Sequence, residues 1–230
     1  MRVQMDRANL AQTTIPTETK EESKILSLII IDNSLSMSGS KYYAALKGVH
    51  EIVRNITEEE SIKLVQFSDK VNAELQIEYS DKNMTLEYLT NALNKSMSNT
   101  ALYSSIIYGY KTYVLSALDK DKNTKVLINI FTDGEDNAST ARQRKEVNDI
   151  ISKLESEGHT VSFLGTNEDR AYILKSLKIS ESNLFTYSND SKGVTRAFDT
   201  TLKARALYKD AVKSGEDVTL GFYSKVLDSE

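Results

Sequence analysis

The sequence predicts a doubly wound α/β fold, with a mostly parallel sheet, one antiparallel edge strand and helices on both faces. Three observations predict it. Apolar runs alternate with amphipathic segments along most of the chain, the pattern of parallel strands joined by crossover helices. Two runs, Ile25 to Ile31 and Lys125 to Phe131, are predominantly apolar, as strands covered on both faces are. One run, Val71 to Tyr79, partly alternates apolar with polar residues, as a half-exposed edge strand does.

Residues 1–23 are polar, contain the only proline and read as an N-terminal arm. The domain proper is expected over 24–208, with a polar C-terminal tail over 209–230. Its first strand, Ile25 to Ile31, ends abruptly in Asp32. Ser38-Gly39-Ser40 supplies a turn and a helix cap. The helix from Lys41 to Asn55 places Tyr42, Ala45, Leu46, Val49, Ile52 and Val53 on one stripe. Ser61 to Phe67 reads as a second strand, joined to the edge strand through the short Ser68-Asp69-Lys70 hairpin connection. A short helix carries Leu86, Leu89 and Leu93. The polar loop Ser96 to Tyr103 opens onto a helix with Leu102, Ile106, Ile107, Tyr110, Val114 and Ala117 at core spacing.

The strand Lys125 to Phe131 ends in Thr132-Asp133-Gly134-Glu135-Asp136-Asn137, and a helix near Ala138 to Glu157 follows. Thr160 to Gly165, Leu184 to Tyr187 and a closing helix with Val194, Ala197, Phe198 and Leu202 complete the pattern. Right-handed crossovers put the loops after Ile31, Phe131 and Gly165 on one sheet edge. The tail holds an apolar patch, Leu220, Phe222, Tyr223, Val226 and Leu227, expected to dock.

Composition excludes several functions. Among 230 residues, 40% are hydrophobic and 27% charged, ordinary for a globular chain, and the net charge of -4 invites neither nucleic acid nor an anionic membrane. There is no cysteine, so thiolate metal sites and a cysteine nucleophile are excluded. No run approaches the ~20 apolar residues of a membrane span. The first residues lead into no apolar signal segment, so the expected location is cytoplasmic. Gly39-Ser40-Lys41 lacks the upstream glycine of a P-loop, and no G-x-G-x-x-G follows a strand.

Asp32-x-Ser34-x-Ser36 at a strand end offers one carboxylate and two hydroxyls, oxygen donors that suit a hard divalent cation. Taken with Thr100 and Asp133, the set resembles the metal-ion-dependent adhesion site of von Willebrand factor A domains. Asp32 to Lys41 is similar to that family's D-x-S-x-S-M stretch, Asn99-Thr100-Ala101-Leu102-Tyr103 to its threonine loop, and Phe131-Thr132-Asp133-Gly134 to its T-D-G motif. Phe163 to Asp169 resembles the G-x-N-x-D turn of small bacterial members. The likeness runs from about Lys24 to Arg205.

The resemblance implies Ser34, Ser36 and Thr100 as hydroxyl ligands, with Asp32 and Asp133 binding directly or through water. The expected ion is Mg2+, with Mn2+ or Ca2+ as alternatives. A shell built mainly of neutral hydroxyls leaves positive charge for an anionic oxygen, which in the family comes from an Asp or Glu of a protein partner. Asn33, Leu35 and Ser98-Asn99 depart from common family glycines, but no ligand position is lost. Glu135 and Asp136 are read as a solvated loop, Lys41 as a solvated helix start, and His50 and His159 as surface or helix-end residues. Tyr103, beside the site, is a candidate for partner contact.

Three functions compete. The first is a non-enzymatic, metal-dependent protein-binding module. The second is a Mg2+-dependent phosphatase or phosphotransferase with Asp32 as nucleophile. That reading lacks the second carboxylate such sites need, since Ser34 stands where it belongs. The third is an accessory subunit of a larger intracellular assembly, such as a partner of an AAA+ ATPase or of a stress-response complex.

Overall fold

The structure is a computed structural model that describes residues 24–93 and 99–228. The expected arm over 1–23, Ser96 to Ser98 of the polar loop, and Ser229 and Glu230 of the tail lie outside the described residues. Six strands form one sheet in the order β3-β2-β1-β4-β5-β6. They are β1 (Ile25–Asp32), β2 (Glu60–Phe67), β3 (Val71–Ile77), β4 (Lys125–Phe131), β5 (Thr160–Thr166) and β6 (Leu184–Tyr187). All pairings are parallel except β2 with β3.

Every residue of β1 is buried, as a central strand covered on both faces requires. Its side chains alternate between two cores. Ile29 and Ile31 pack with Val49, Phe198 and Tyr223, from α1 (Ser40–Arg54), α7 (Ser191–Ser214) and the tail. Leu28 and Ile30 pack with Ile106, Val147 and Ile173, from α3 (Leu102–Gly109), α5 (Ala141–Ser156) and α6 (Arg170–Leu177). The remaining α2 (Leu86–Leu93) lies with the first core, through Leu89 and Leu93. Edge strand β3 is only half covered, which is why its sequence alternates.

Two contacts set the helices over the sheet. Gly39 has φ of 77°, a left-handed conformation that glycine adopts without a Cβ penalty, and it turns the chain into α1. Gly48 lets α1 and α7 approach closely, because a Cβ there would lie 2.1 Å from Cγ of Phe198.

Three elements differ from the sequence reading. The helix after Thr100 is not uniform: α3 passes through a π turn at Tyr110–Val114 before α4 (Leu115–Lys120). The π turn accompanies Tyr113, whose hydroxyl donates to Glu74 Oε2 at 2.5 Å, a tertiary contact that periodicity does not encode. The helix expected near Ala138 starts at Ala141, because Thr140 caps it in a reciprocal box with Gln143. The boundary expected at residue 208 falls inside α7, which runs to Ser214.

Beyond α7 the tail folds back. Val218, Phe222, Tyr223 and Val226 are buried in the α1–α7 core, and α8 (Ser224–Leu227) ends the described chain. No helix among the described residues is long and apolar enough to cross a membrane.

Candidate metal centre

The strand order reverses between β1 and β4, and the crevice outside the carboxyl ends of such a pair is where open α/β sheets bind ligands. Asp32 is the last residue of β1, and Asp133 lies two residues beyond β4. Both carboxylates therefore reach the same crevice.

Asp32 is fully buried. One carboxylate oxygen accepts from the Ser34 N–H at 2.6 Å, and the other accepts from the Thr132 hydroxyl at 2.5 Å. Burial pushes its carboxyl up to about 6; the hydrogen bonds from Thr132 and Ser34 oppose the rise and the charge of Asp133 adds to it. The Ser34 and Ser36 hydroxyls lie 2.9 Å apart, and Ser36 donates to Asp133 Oδ1 at 2.6 Å. Asp32, Ser34, Ser36 and Asp133 are thus linked by a continuous run of hydrogen bonds.

Thr100 is placed differently. It is buried, its N–H donates to the Asn137 side chain at 2.9 Å, and its carbonyl accepts from the Asn137 N–H at 3.0 Å. Ala101 N–H donates to the Ser68 carbonyl at 2.7 Å. The threonine loop is therefore tied to the Asp133 loop and to the end of β2. The Thr100 hydroxyl is not bonded to the other four residues.

Several residues near the site have other roles than the sequence suggested. Lys41 does not extend into solvent. Its ammonium reaches from the first turn of α1 to Asp133 Oδ2 at 2.5 Å and Asn189 Oδ1 at 2.8 Å, the salt-bridged nitrogen lying on a side chain 18% exposed. Asp136 organises its loop, accepting from the N–H groups of Tyr103 and Ser139 at 2.8 and 2.7 Å. Tyr103 is buried and its hydroxyl pairs with that of Tyr172 at 2.5 Å, so it is not a contact surface. His159 is buried and faces the Val126 N–H. Leu35, by contrast, is 69% exposed at the lip of the crevice.

Among the described residues, no group of three or more His, Cys, Asp or Glu side chains could hold a metal. A metal here would therefore depend on hydroxyls beside two carboxylates. The donor set fits a hard cation, being all oxygen and mostly buried. The electrostatics fit as well. Asp32 is a buried carboxylate whose hydrogen-bond donors, an N–H and a hydroxyl, are both neutral. Glu60, a buried strand carboxylate, is by contrast bonded by Arg205 and lies 2.9 Å from Lys209, and the buried Asp133 carboxylate is paired with Lys41.

The doubly wound sheet, with one antiparallel edge strand and helices on both faces, defines a Rossmann-like α/β domain. The family model of the von Willebrand factor type A domain matches residues 28–200, and the chain belongs to that family. Comparison with curated proteins gives no match. Solved structures with the same fold include a von Willebrand factor type A protein from Catenulispora acidiphila, 16% identical with a TM-score of 0.54, over 76% of this chain and 41% of that one. Proximal thread matrix protein 1 from the mussel byssus, with a zinc-occupied adhesion-site motif, is 15% identical with a TM-score of 0.59, over 84% and 46%. The ArnB paralog VWA2 from Sulfolobus acidocaldarius is 21% identical with a TM-score of 0.54, over 78% and 45%. The chain thus spans less than half the length of each of these proteins.

Proposed function

We propose that this domain is a non-enzymatic binding module that holds a divalent cation, Mg2+ foremost, and uses it to grip an Asp or Glu of a protein partner. The observation that carries the reading is the hydrogen-bonded run from Asp32 through Ser34 and Ser36 to Asp133, anchored on a buried carboxylate with only neutral donors. Ser34, Ser36 and Thr100 are the hydroxyl ligands, and Asp32 and Asp133 the carboxylate ligands or the holders of bound water. When bound, the ion supplies a positive centre, only partly neutralised by this shell, that accepts one further anionic oxygen. The zinc at the corresponding motif of the mussel protein supports a divalent cation at this position.

The enzymatic alternative is weakened by the sequence, since Ser34 stands where such a site needs its second carboxylate. The assembly-subunit alternative loses one support, since most of the tail's apolar patch is buried within its own domain. The cytoplasmic location expected from the sequence is carried here as a proposal; recovery of the native protein in the membrane pellet or the medium would refute it.

The test is calorimetric titration of Mg2+ into the protein and into the Ser34→Ala/Ser36→Ala variant, followed by partner capture with and without EDTA. Mg2+ binding lost in the variant, and capture lost in EDTA, are expected. Equal capture in EDTA would sink the proposal.

A further inference from the structure

Beside the crevice, α1 and α7 enclose a groove of about 460 Å3, lined by Ser40, Tyr43, Lys47, Ser191, Lys192 and Arg196, with Asp199 as the only carboxylate. Lys47, Lys192 and Arg196 are exposed, and none forms an ion pair among the described residues. They gather three positive charges on a chain whose net charge is -4. Lys47 is held over the exposed Tyr43 ring, 4.7 Å from its centroid, which limits the freedom it would lose on binding.

The groove adjoins the candidate metal centre through residues next to one another in the chain. Lys41, which follows Ser40, bonds Asp133 on one side and Asn189 on the other, and Asn189 stands two residues before Ser191. Both helices begin at this end, so the positive ends of their dipoles face it. From Ser40 to Lys47 the groove wall is about 10 Å long at 1.5 Å per helical residue. That accommodates roughly three residues of extended chain.

We infer that this groove receives an acidic flank of the same partner segment whose carboxylate takes the metal, so that the preferred partner carries further Asp or Glu within a few residues of the gripping one. The inference rests on the metal-grip reading and specifies its partner. Charge complementarity of this kind raises association rate and selectivity and weakens with salt.

The test uses two 11-residue peptides with one central Asp, flanked on both sides by glutamates in one and by glutamines in the other. Fluorescence anisotropy in Mg2+ at low salt measures both. The glutamate peptide should bind the native protein about tenfold more tightly, the scale of three exposed charge pairs acting together. In Lys47→Glu/Lys192→Glu/Arg196→Glu the ratio should fall below about twofold, with Mg2+ affinity and melting temperature unchanged. Reversing Lys120, Lys122 and Lys145, all outside the groove, should leave the ratio intact. EDTA should abolish binding of both peptides. A ratio that survives the groove reversal, or falls equally in the control, overturns the groove while EDTA sensitivity upholds the metal grip. Equal binding of the glutamine peptide with and without EDTA overturns the metal grip itself.

Discussion

Replacing Lys41 with methionine should weaken the metal-free protein and strengthen its hold on Mg2+. The ammonium lies 2.5 Å from Asp133 Oδ2, with the two side chains 18% and 0% exposed. A pair buried to that degree falls between exposed ion pairs, worth up to about 1 kcal/mol, and fully buried ones, whose breakage costs about 3–5 kcal/mol. We take about 2 kcal/mol. Without Lys41, Asp133 keeps the Ser36 hydroxyl as its side-chain hydrogen-bond partner, and the melting temperature without metal should fall by about 4–8 °C. In the proposed bound state, Asp133 serves the ion, so lysine and ion compete for one carboxylate. Removing the competitor should raise Mg2+ affinity by roughly 10- to 30-fold, since about 1.4 kcal/mol corresponds to tenfold. Methionine preserves the aliphatic packing, and Lys41→Arg keeps the charge as a control. Calorimetry gives the affinity, and thermal melting with and without Mg2+ gives the stability, with the gap between variant and native protein closing at saturating Mg2+. Unchanged or weaker Mg2+ binding in Lys41→Met would refute the competition and make Lys41 a residue that orients Asp133 for the ion.

Ser36→Ala removes a hydroxyl bonded to both Ser34 and Asp133 on an exposed residue; Mg2+ affinity should drop at least about tenfold while stability changes by less than about 1 kcal/mol, read by calorimetry and denaturant melts. Glu60→Gln should cost about 3–5 kcal/mol, because it leaves Arg205 and Lys209 without their buried carboxylate. Glu60 also gives a pH dependence. Burial pushes its carboxyl up, but Arg205 and Lys209 outweigh that and hold it below the usual range. Its contribution is therefore present above the unfolded value of about 4.3 and lost as pH falls through the lower folded one. Acid denaturation followed by circular dichroism should show native stability dropping below about pH 4, with a shallower slope in Glu60→Gln. Tyr223→Ala should cost about 3–5 kcal/mol, since the ring is fully buried and its hydroxyl lies 3.1 Å from that of Thr201. A smaller loss in denaturant melts would mean that the tail is dispensable to the domain.

The layout of the sheet was legible because burial writes itself into periodicity. Strands β1 and β4 are covered on both faces and read as predominantly apolar runs; β3 is half covered and alternates. What was missed arises from contacts distant in sequence. Lys41 was read as a solvated helix start, yet it meets Asp133 ninety-two positions away, and no local pattern distinguishes it from an ordinary first-turn lysine. Tyr103 was read as a surface candidate, but its hydroxyl finds Tyr172, 69 positions on. The tail's apolar patch was expected to dock, and Phe222, Tyr223 and Val226 do pack into the core of α1 and α7; the place of docking was not legible, because so few residues form no periodic pattern. Polar residues inside apolar strands were the overlooked signal. Ser27, Asn129 and Ser162 interrupt β1, β4 and β5, and all three join one buried network: Arg205 donates to Ser27 at 3.1 Å and to Asn129 at 2.6 Å, and Asn129 to Ser162 at 2.5 Å.

That network clarifies the candidate site by contrast. The protein buries two acidic side chains almost completely in its strands, at opposite ends of the sheet. Glu60, first in β2, is met by Arg205 and Lys209, so charge is balanced within the fold and helix α7 is fixed to the sheet by the same contact. Asp32, last in β1, is met by an N–H and a hydroxyl, and its carboxyl is pushed up to about 6 rather than held down. A fold that needed Asp32 only for stability would gain by pairing it as it pairs Glu60, or by replacing it with an apolar residue like those preceding it in β1. Keeping a costly carboxylate at the switch point, aligned with two hydroxyls and Asp133, is the arrangement expected where the balancing charge comes from outside the chain.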